Sequence, residues 1–389
     1  RQRQMCIRDR LFKGDVLRVF FHGRIISVAI VLAFLVGCTP SSEDGEGVAP
    51  ANSSSQVFRW KMITTWPKNL PGLGVAPERL ADHLRVMSNG RLDIKVYGAG
   101  ELVGGMEVFD AVSQGTAEMG HGAAYYWRGK IPAAQMFATV PFGMTAQEMN
   151  GWLHYGGGLE LWRELYKPFD IVPFTTGNSG VQMGGWFNKE ILSVDDLQGL
   201  KMRIPGLGGE VLARAGGSPQ QLPLAEVYTA LQTGVIDATE LVGPYNDLAQ
   251  SIHTVAKYYY YPGWHEPGST LETLINKGAW ESLPPDLQEM IAVATRAINE
   301  DMLSEFTAKN NAALDVLIEE HGVELRAFPE DVIYKLREIS KGLVKESMQE
   351  NDLSRRIYSS YMEFLESVEN YHRISEQAFL EARADASTN

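Results

Sequence analysis

The sequence predicts an α/β protein of two lobes followed by a helical C-terminal quarter. Strand-like and helix-like segments alternate from Phe58 to about residue 275, with glycine-rich turns between them. From Ser282 onward glycine becomes scarce and the apolar spacing is helical. The length of 389 residues exceeds one typical domain, which also argues for two lobes. No period of 20–50 residues recurs, so a solenoid or propeller is excluded.

The first elements can be read in order. Phe58-Arg59-Trp60-Lys61-Met62-Ile63 alternates large apolar with polar positions and ends at Trp66-Pro67, a strand running into a loop. Leu80, Leu84 and Met87 then share one helical face, and Asn89-Gly90 closes that helix. Leu92-Asp93-Ile94-Lys95-Val96-Tyr97 alternates again as a second strand. The glycine-rich stretch 98–105 leads into a helix carrying Val108 and Val112. This is a βαβαβ start, in which ligand loops gather at the carboxyl ends of the strands.

From Leu353, apolar residues fall at Ile357, Tyr361, Phe364, Val368 and Tyr371, with Phe379 beyond, and residues 343–389 hold neither glycine nor proline. A long helix over 343–383 is expected, too long to stand unpacked. It either folds back across its own lobes or meets a second copy of the chain.

The N-terminal residues read as an address. The apolar run 25–36 is too short to span a bilayer, which needs roughly 20 apolar residues, and Arg18 and Arg24 precede it. Leu35-Val36-Gly37-Cys38 looks like a bacterial lipoprotein cleavage box, with Cys38 as the lipidated residue; the alternative is an ordinary signal peptide with an incidental cysteine. Residues 1–37 are therefore assigned to a signal peptide, the first ten being read as an N-terminal artefact because they fit no signal-peptide logic. Residues 38–56, rich in Pro, Ser, Gly and acids, follow as a flexible tether.

Composition excludes several functions. Acidic residues outnumber basic ones 48 to 35, and cleavage before Cys38 would leave 46 against 28, near −18. No Lys/Arg-dense stretch occurs past residue 24, so nucleic acid is not an expected partner. With two cysteines, Cys6 and Cys38, no disulfide framework or cysteine-based zinc site forms in the body. There is no H-E-x-x-H, no G-x-S-x-G and no phosphate-loop motif, and Val211 stands where Gly206-Leu207-Gly208-Gly209 would need a last glycine to bind a dinucleotide. Catalysis is the second choice: a secreted metal-dependent enzyme acting on keto or hydroxy acids, with His265 or Glu240 as base.

One segment stands out. In Leu200-Lys201-Met202-Arg203-Ile204-Pro205-Gly206, alternation puts Lys201 and Arg203 on one strand face, just before a turn. An arginine there can aim its planar fork into a cleft and grip a carboxylate, or form an ordinary surface ion pair. Gln182, Glu240 and Glu266 could add oxygen ligands for a hard cation such as Na⁺ or Ca²⁺. The aromatic runs Tyr125-Tyr126-Trp127 and Tyr258-Tyr259-Tyr260-Tyr261 could wall a pocket or fill a core.

Two blocks together resemble the DctP-type substrate-binding proteins of TRAP transporters. One runs from Leu92-Asp93-Ile94-Lys95-Val96-Tyr97 through Gly104-Gly105 to Gly115-Thr116-Ala117-Glu118-Met119. The second runs from Asn188 through Asp196-Leu197-Gln198-Gly199-Leu200-Lys201-Met202-Arg203-Ile204-Pro205 to Glu226-Val227-Tyr228-Thr229-Ala230-Leu231-Gln232-Thr233-Gly234-Val235-Ile236-Asp237-Ala238. The likeness covers about residues 57–383. Val242-Gly243-Pro244-Tyr245-Asn246-Asp247-Leu248 and Tyr258-Tyr259-Tyr260-Tyr261-Pro262-Gly263-Trp264-His265-Glu266-Pro267-Gly268 draw it towards the branch that binds 2-oxo acids or lactate with a metal ion.

The resemblance implies a two-lobed periplasmic-binding-protein fold with a hinge: lobe I from 57–179 with 268–307, lobe II from 180–267 with 308–342, then the long C-terminal helix. It implies that Arg203 anchors the substrate carboxylate, joined at the substrate by Gln182, Tyr126 and Asn178. Gln182, Glu240, Leu241 and Glu266 would hold a Na or Ca ion bridging that carboxylate, Leu241 through its main-chain carbonyl. Leu241 stands where this branch commonly has Trp, which puts pocket size in question. The implied partners are a small monocarboxylate such as pyruvate or lactate, the TRAP membrane subunits, and a second copy through the C-terminal helix. The expected location is periplasmic or on the bacterial cell surface as a lipoprotein, attached by lipid alone. Net charge opposes an anionic ligand, so affinity must come from one local arginine and a cation.

Overall fold

The alternating β1 (Phe58–Thr64) lies beside β2 (Leu92–Tyr97) in parallel register, with α1 (Ala76–Met87) between them in sequence. The computed structural model describes residues 56–385; the expected signal segment, Cys38 and nearly all of the tether lie outside them. Leu80 and Leu84 of α1 are buried, and the left-handed Asn89 and Gly90 end the helix as expected. Met87 departs from the expected apolar face. It is 43% exposed because it occupies the last position of α1, beyond the edge of the sheet-facing stripe.

The short α2 (Val108–Ser113) leads to β3 (Met119–Gly122), and α3 (Ala146–Tyr155), α4 (Gly158–Tyr166) and β4 (Ile171–Asn178) follow. The chain then crosses to a second sheet: β5 (Gly185–Phe187), β6 (Lys201–Arg203), α5 (Gly206–Arg214), β7 (Ser218–Gln220), α6 (Leu224–Gln232), β8 (Ala238–Thr239), α7 (Pro244–Ala249) and β9 (Tyr258–Tyr261). It returns through β10 (Thr270–Asn276), α8 (Lys277–Ser282) and α9 (Pro285–Glu319), then adds β11 (Glu324–Ala327), α10 (Glu330–Ser347), α11 (Asp352–His372) and α12 (Ala378–Asp385).

The strands form two sheets, ordered β2-β1-β3-β10-β4 and β11-β9-β5-β8-β6-β7. Each is mixed: β10 runs antiparallel to β3 and β4, and β5 antiparallel to β8 and β9. The two crossing segments run side by side, since Ser179 N donates to Ser269 O at 3.1 Å and Gln182 N to Glu266 O at 3.1 Å. That pairing defines the hinge. α9 lies along β4 and α1 and reaches α7, where Asn310 Oδ1 accepts the Tyr245 N–H at 3.1 Å. Among the described residues no helix is long and apolar enough to cross a membrane.

The long C-terminal helix is present but begins at Asp352 rather than near 343. Leu343 belongs to α10; residues 348–351 break the path, and the Asn351 side chain accepts the Ser354 N–H at 2.9 Å to start a new helix. The first helix ends at a Met348 cap and a helix-capping asparagine starts the next, without glycine or proline. A π-turn over Arg373–Gln377 joins α11 to α12.

The first half of α11 packs on its own chain. Ile357 and Tyr361 are buried, Tyr361 stands edge-on to Trp152 at 5.1 Å, and Arg356 meets Glu164 through two bonds of 2.7 and 2.9 Å. Beyond it, Tyr371, Ile374 and Phe379 are exposed.

Candidate functional site

Register places the key pair. Met202 and Arg203 of β6 lie opposite Ala238 and Thr239 of β8, and Glu240 N donates to Arg203 O at 3.0 Å. Glu240 is therefore delivered directly beside Arg203. Lys201 is exposed, whereas Arg203 on the same alternation is only 2% exposed at the inner end of the strand. Gly206 follows with φ +60°, and a Cβ there would come within 3.1 Å of Tyr125, so glycine lets α5 approach the 124–127 turn.

The Arg203 guanidinium is held on several sides. Nη1 donates to the Glu240 carboxylate and, at 3.2 Å, to the Glu240 main-chain oxygen; Nε donates to Leu222 O at 3.3 Å. Nη2 reaches the Tyr126 hydroxyl at 3.4 Å, a contact from the first-sheet side to the second.

The hinge supplies the other oxygens. Gln182 Nε2 donates to Glu266 Oε2 at 2.6 Å and to Ser179 Oγ at 3.0 Å, and Ser269 Oγ donates to Glu266 Oε2. His265 lies buried with Nε2 3.4 Å from Glu240 Oε2. Two buried oxygens, Gln182 Oε1 and Glu240 Oε2, have no hydrogen-bond donor. Such orphans are costly unless something positive meets them.

One atom each of Glu240, His265 and Glu266 lie within 4.8 Å of one another. Amide and carboxylate oxygens in this arrangement fit a hard cation. Burial pushes both Glu240 and Glu266 up to about 7, against the pull of Arg203, and Glu240 pushes Glu266 further up. Two acids share one arginine, and a cation would relieve that excess. Burial lowers His265 to about 4, so its imidazole is neutral and adds no charge.

A narrow cavity between the sheets is lined by Trp66, Tyr125, Tyr126, Gln182, Arg203 and Leu241, among others. Tyr126, Gln182, Arg203, Glu240 and Glu266 are thus brought together. Asn178 is not: its amide donates to Gly268 O at 3.4 Å and Thr270 Oγ1 at 3.2 Å, and its oxygen accepts Gly180 N–H at 2.9 Å. It ties the hinge strands and does not line the cavity. Ser179 and Ser269, which orient Gln182 and Glu266, were not singled out from the sequence; their only signal is their spacing of three from those residues.

A two-lobed chain with a buried arginine and paired acids at the cleft between its sheets has the makings of a solute receptor. The chain belongs to the DctP family, described as bacterial extracellular solute-binding protein, family 7, which matches residues 62–351. It is 40% identical over 353 residues to a monocarboxylate 2-oxoacid-binding periplasmic protein of Nostoc sp., covering 91% of this chain and 95% of that one. It is similar in structure to a TRAP periplasmic solute-binding protein from Pseudoalteromonas atlantica with bound sodium and pyruvate, at TM-score 0.81 and 43% identity over 84% of this chain and 99% of the other. A TRAP transporter solute-binding protein from Bordetella bronchiseptica, a mixed-occupancy dimer with calcium and picolinate in a bound site against an apo site, gives TM-score 0.84 and 38% identity over 86% of this chain and 99% of the other. The family places the protein outside the cytoplasm. These relatives do not favour the enzyme reading.

Proposed function

We propose that this receptor captures a small monocarboxylate, a 2-oxo acid such as pyruvate or else lactate, and delivers it to TRAP membrane subunits without transforming it. Arg203 pairs with the carboxylate, assisted by Tyr126. A Na⁺ or Ca²⁺ ion sits between Gln182, Glu240, Glu266 and the Leu241 main-chain carbonyl, and bridges to the same carboxylate. The observation that carries this reading is the buried Arg203–Glu240 pair beside two unpartnered oxygens, Gln182 Oε1 and Glu240 Oε2.

The hinge at 179–182 and 266–269 would move lobe I (57–179 with 268–307) against lobe II (180–267 with 308–342). Cys38 carries the lipid, and the exposed end of the C-terminal helix meets a second copy. A panel of 2-oxo and 2-hydroxy acids, each with and without Na⁺ and Ca²⁺, tests the reading by thermal shift. A ligand at a hundredfold excess over Kd adds about 2.7 kcal/mol of stability. No shift with any acid, under any cation, overturns it.

A further inference from the structure

Several polar contacts join the lobes outside the ligand cavity, among them Tyr245 to Glu305 at 3.2 Å and Ser340 to Pro141 at 3.1 Å, and two others flank the cavity itself. On one side the Arg128 guanidinium donates to Glu210 Oε1 at 2.8 Å and to Gly206 O at 3.3 Å. Arg128 follows the 124–127 turn of the first lobe, two residues from Tyr126, and Gly206 and Glu210 lie in the first turns of α5 in the second, just after Arg203. On the other side, Asn246 Nδ2 donates to Pro71 O at 2.6 Å. Pro71 lies two residues from Leu73 and Asn246 four from Val242, and both Leu73 and Val242 line the cavity. Among the described residues, Arg128–Glu210 is the one ion pair linking an element of the first sheet's lobe to α5.

We propose that Arg128–Glu210 and Asn246–Pro71 form a two-point clasp that sets how long the closed receptor holds its ligand, while touching neither ligand nor cation. Opening the cleft must separate Arg128 from Glu210 and Asn246 from Pro71, because each pair spans the lobes. Loss of the clasp therefore raises the dissociation rate and leaves the association rate little changed. The two contacts differ in weight. Arg128 and Glu210 side chains are 32% and 35% exposed, so solvent screens them. Their loss should speed release by about 2- to 5-fold. Asn246 is fully buried, and Asn246→Ala removes the donor that crosses the cleft while the Pro71 carbonyl keeps the Leu73 N–H, so release should rise by about 5-fold.

The clasp rests on the receptor reading above, and its test separates the two. Stopped-flow release of pyruvate from the Ca²⁺-loaded protein is compared for wild type, Glu210→Gln, Arg128→Glu, and Arg128→Glu combined with Glu210→Arg. The clasp predicts faster release in both single variants, recovery in the double reversal, and an unchanged melting temperature without ligand. Equal release rates in all four proteins, or a ligand-free melting loss that accounts for the whole effect, overturn it. X-ray scattering without ligand gives a second reading that needs no binding: Arg128→Glu should be more open than wild type, and identical scattering also overturns the clasp. Wild type that binds no monocarboxylate, with Arg128→Glu still opening, rejects the ligand assignment and leaves the clasp standing.

Discussion

One nitrogen of Arg203, Nη1, donates both to the carboxylate and to the main-chain oxygen of Glu240, 37 residues on. Glu240 is thus fixed as part of the arginine's own scaffold. The remaining fork, with Nη2 towards Tyr126, faces the cavity. Arg203→Ala should lower pyruvate affinity by about 10²- to 10³-fold, because both Glu240 and the ligand carboxylate lose their buried partner. Titration calorimetry reads this directly; an unchanged Kd would remove Arg203 from the site.

Ser269 does for Glu266 what Ser179 does for Gln182: it aims an oxygen. Partners of this kind typically govern metal affinity by 10–100-fold. Ser269→Ala should accordingly raise the Ca²⁺ concentration needed for half-maximal pyruvate binding by about 10-fold or more. A variant with unchanged cation dependence would show that Glu266 needs no such orientation.

Glu272 of β10 gives a pH signature away from the site. Burial raises its carboxyl to about 8 from an ordinary 4.5, partly opposed by hydrogen bonds from Trp127 and Tyr166. A raised folded-state value means its contribution is complete below about pH 4.5 and is lost as pH rises to about 8. Glu272→Gln keeps the acceptor for Trp127 and removes the titration. Urea unfolding from about pH 5 to about pH 9 should show a shallower loss of stability in the variant than in wild type. Parallel pH profiles would contradict this account.

Tyr361 fastens the C-terminal helix. Its hydroxyl accepts the buried Met144 N–H at 2.8 Å, and Gly143 leaves no room for a Cβ beside that oxygen. Tyr361→Phe orphans the amide and should cost about 1–3 kcal/mol. The melting temperature should fall while the association rate for pyruvate is retained; no fall in melting temperature would show the contact to be dispensable.

Local alternation was enough to place β1, β2 and the strand end at Arg203, because each rests on period-two burial within one segment. The run of 35 residues in α9 was harder. It meets β4 through Asn299, α1 through Asp301 and Glu305, and α7 through Asn310, so one apolar face does not describe it. The lobe boundary read at 307/308 falls inside it. The break at 348–351 was hidden for a similar reason: an asparagine cap interrupts the helix without the glycine or proline that marks most ends. At the site, Gln182, Glu240 and Glu266 come from three separated segments that no spacing rule groups; their oxygen chemistry made them candidates, and the family resemblance gave them one site. Asn178 shows the limit of that carry-over, since its amide is committed to Gly268 and Thr270.

The central claim is that anion affinity in this acidic protein depends on a cation acting with Arg203. Calorimetric titration of pyruvate into protein stripped with chelator, in sodium-free buffer and then after Ca²⁺ or Na⁺ is restored, tests it most directly. The account predicts stoichiometric binding with a restored cation and at least about 10-fold weaker binding without one. Equal affinity in both conditions would contradict it.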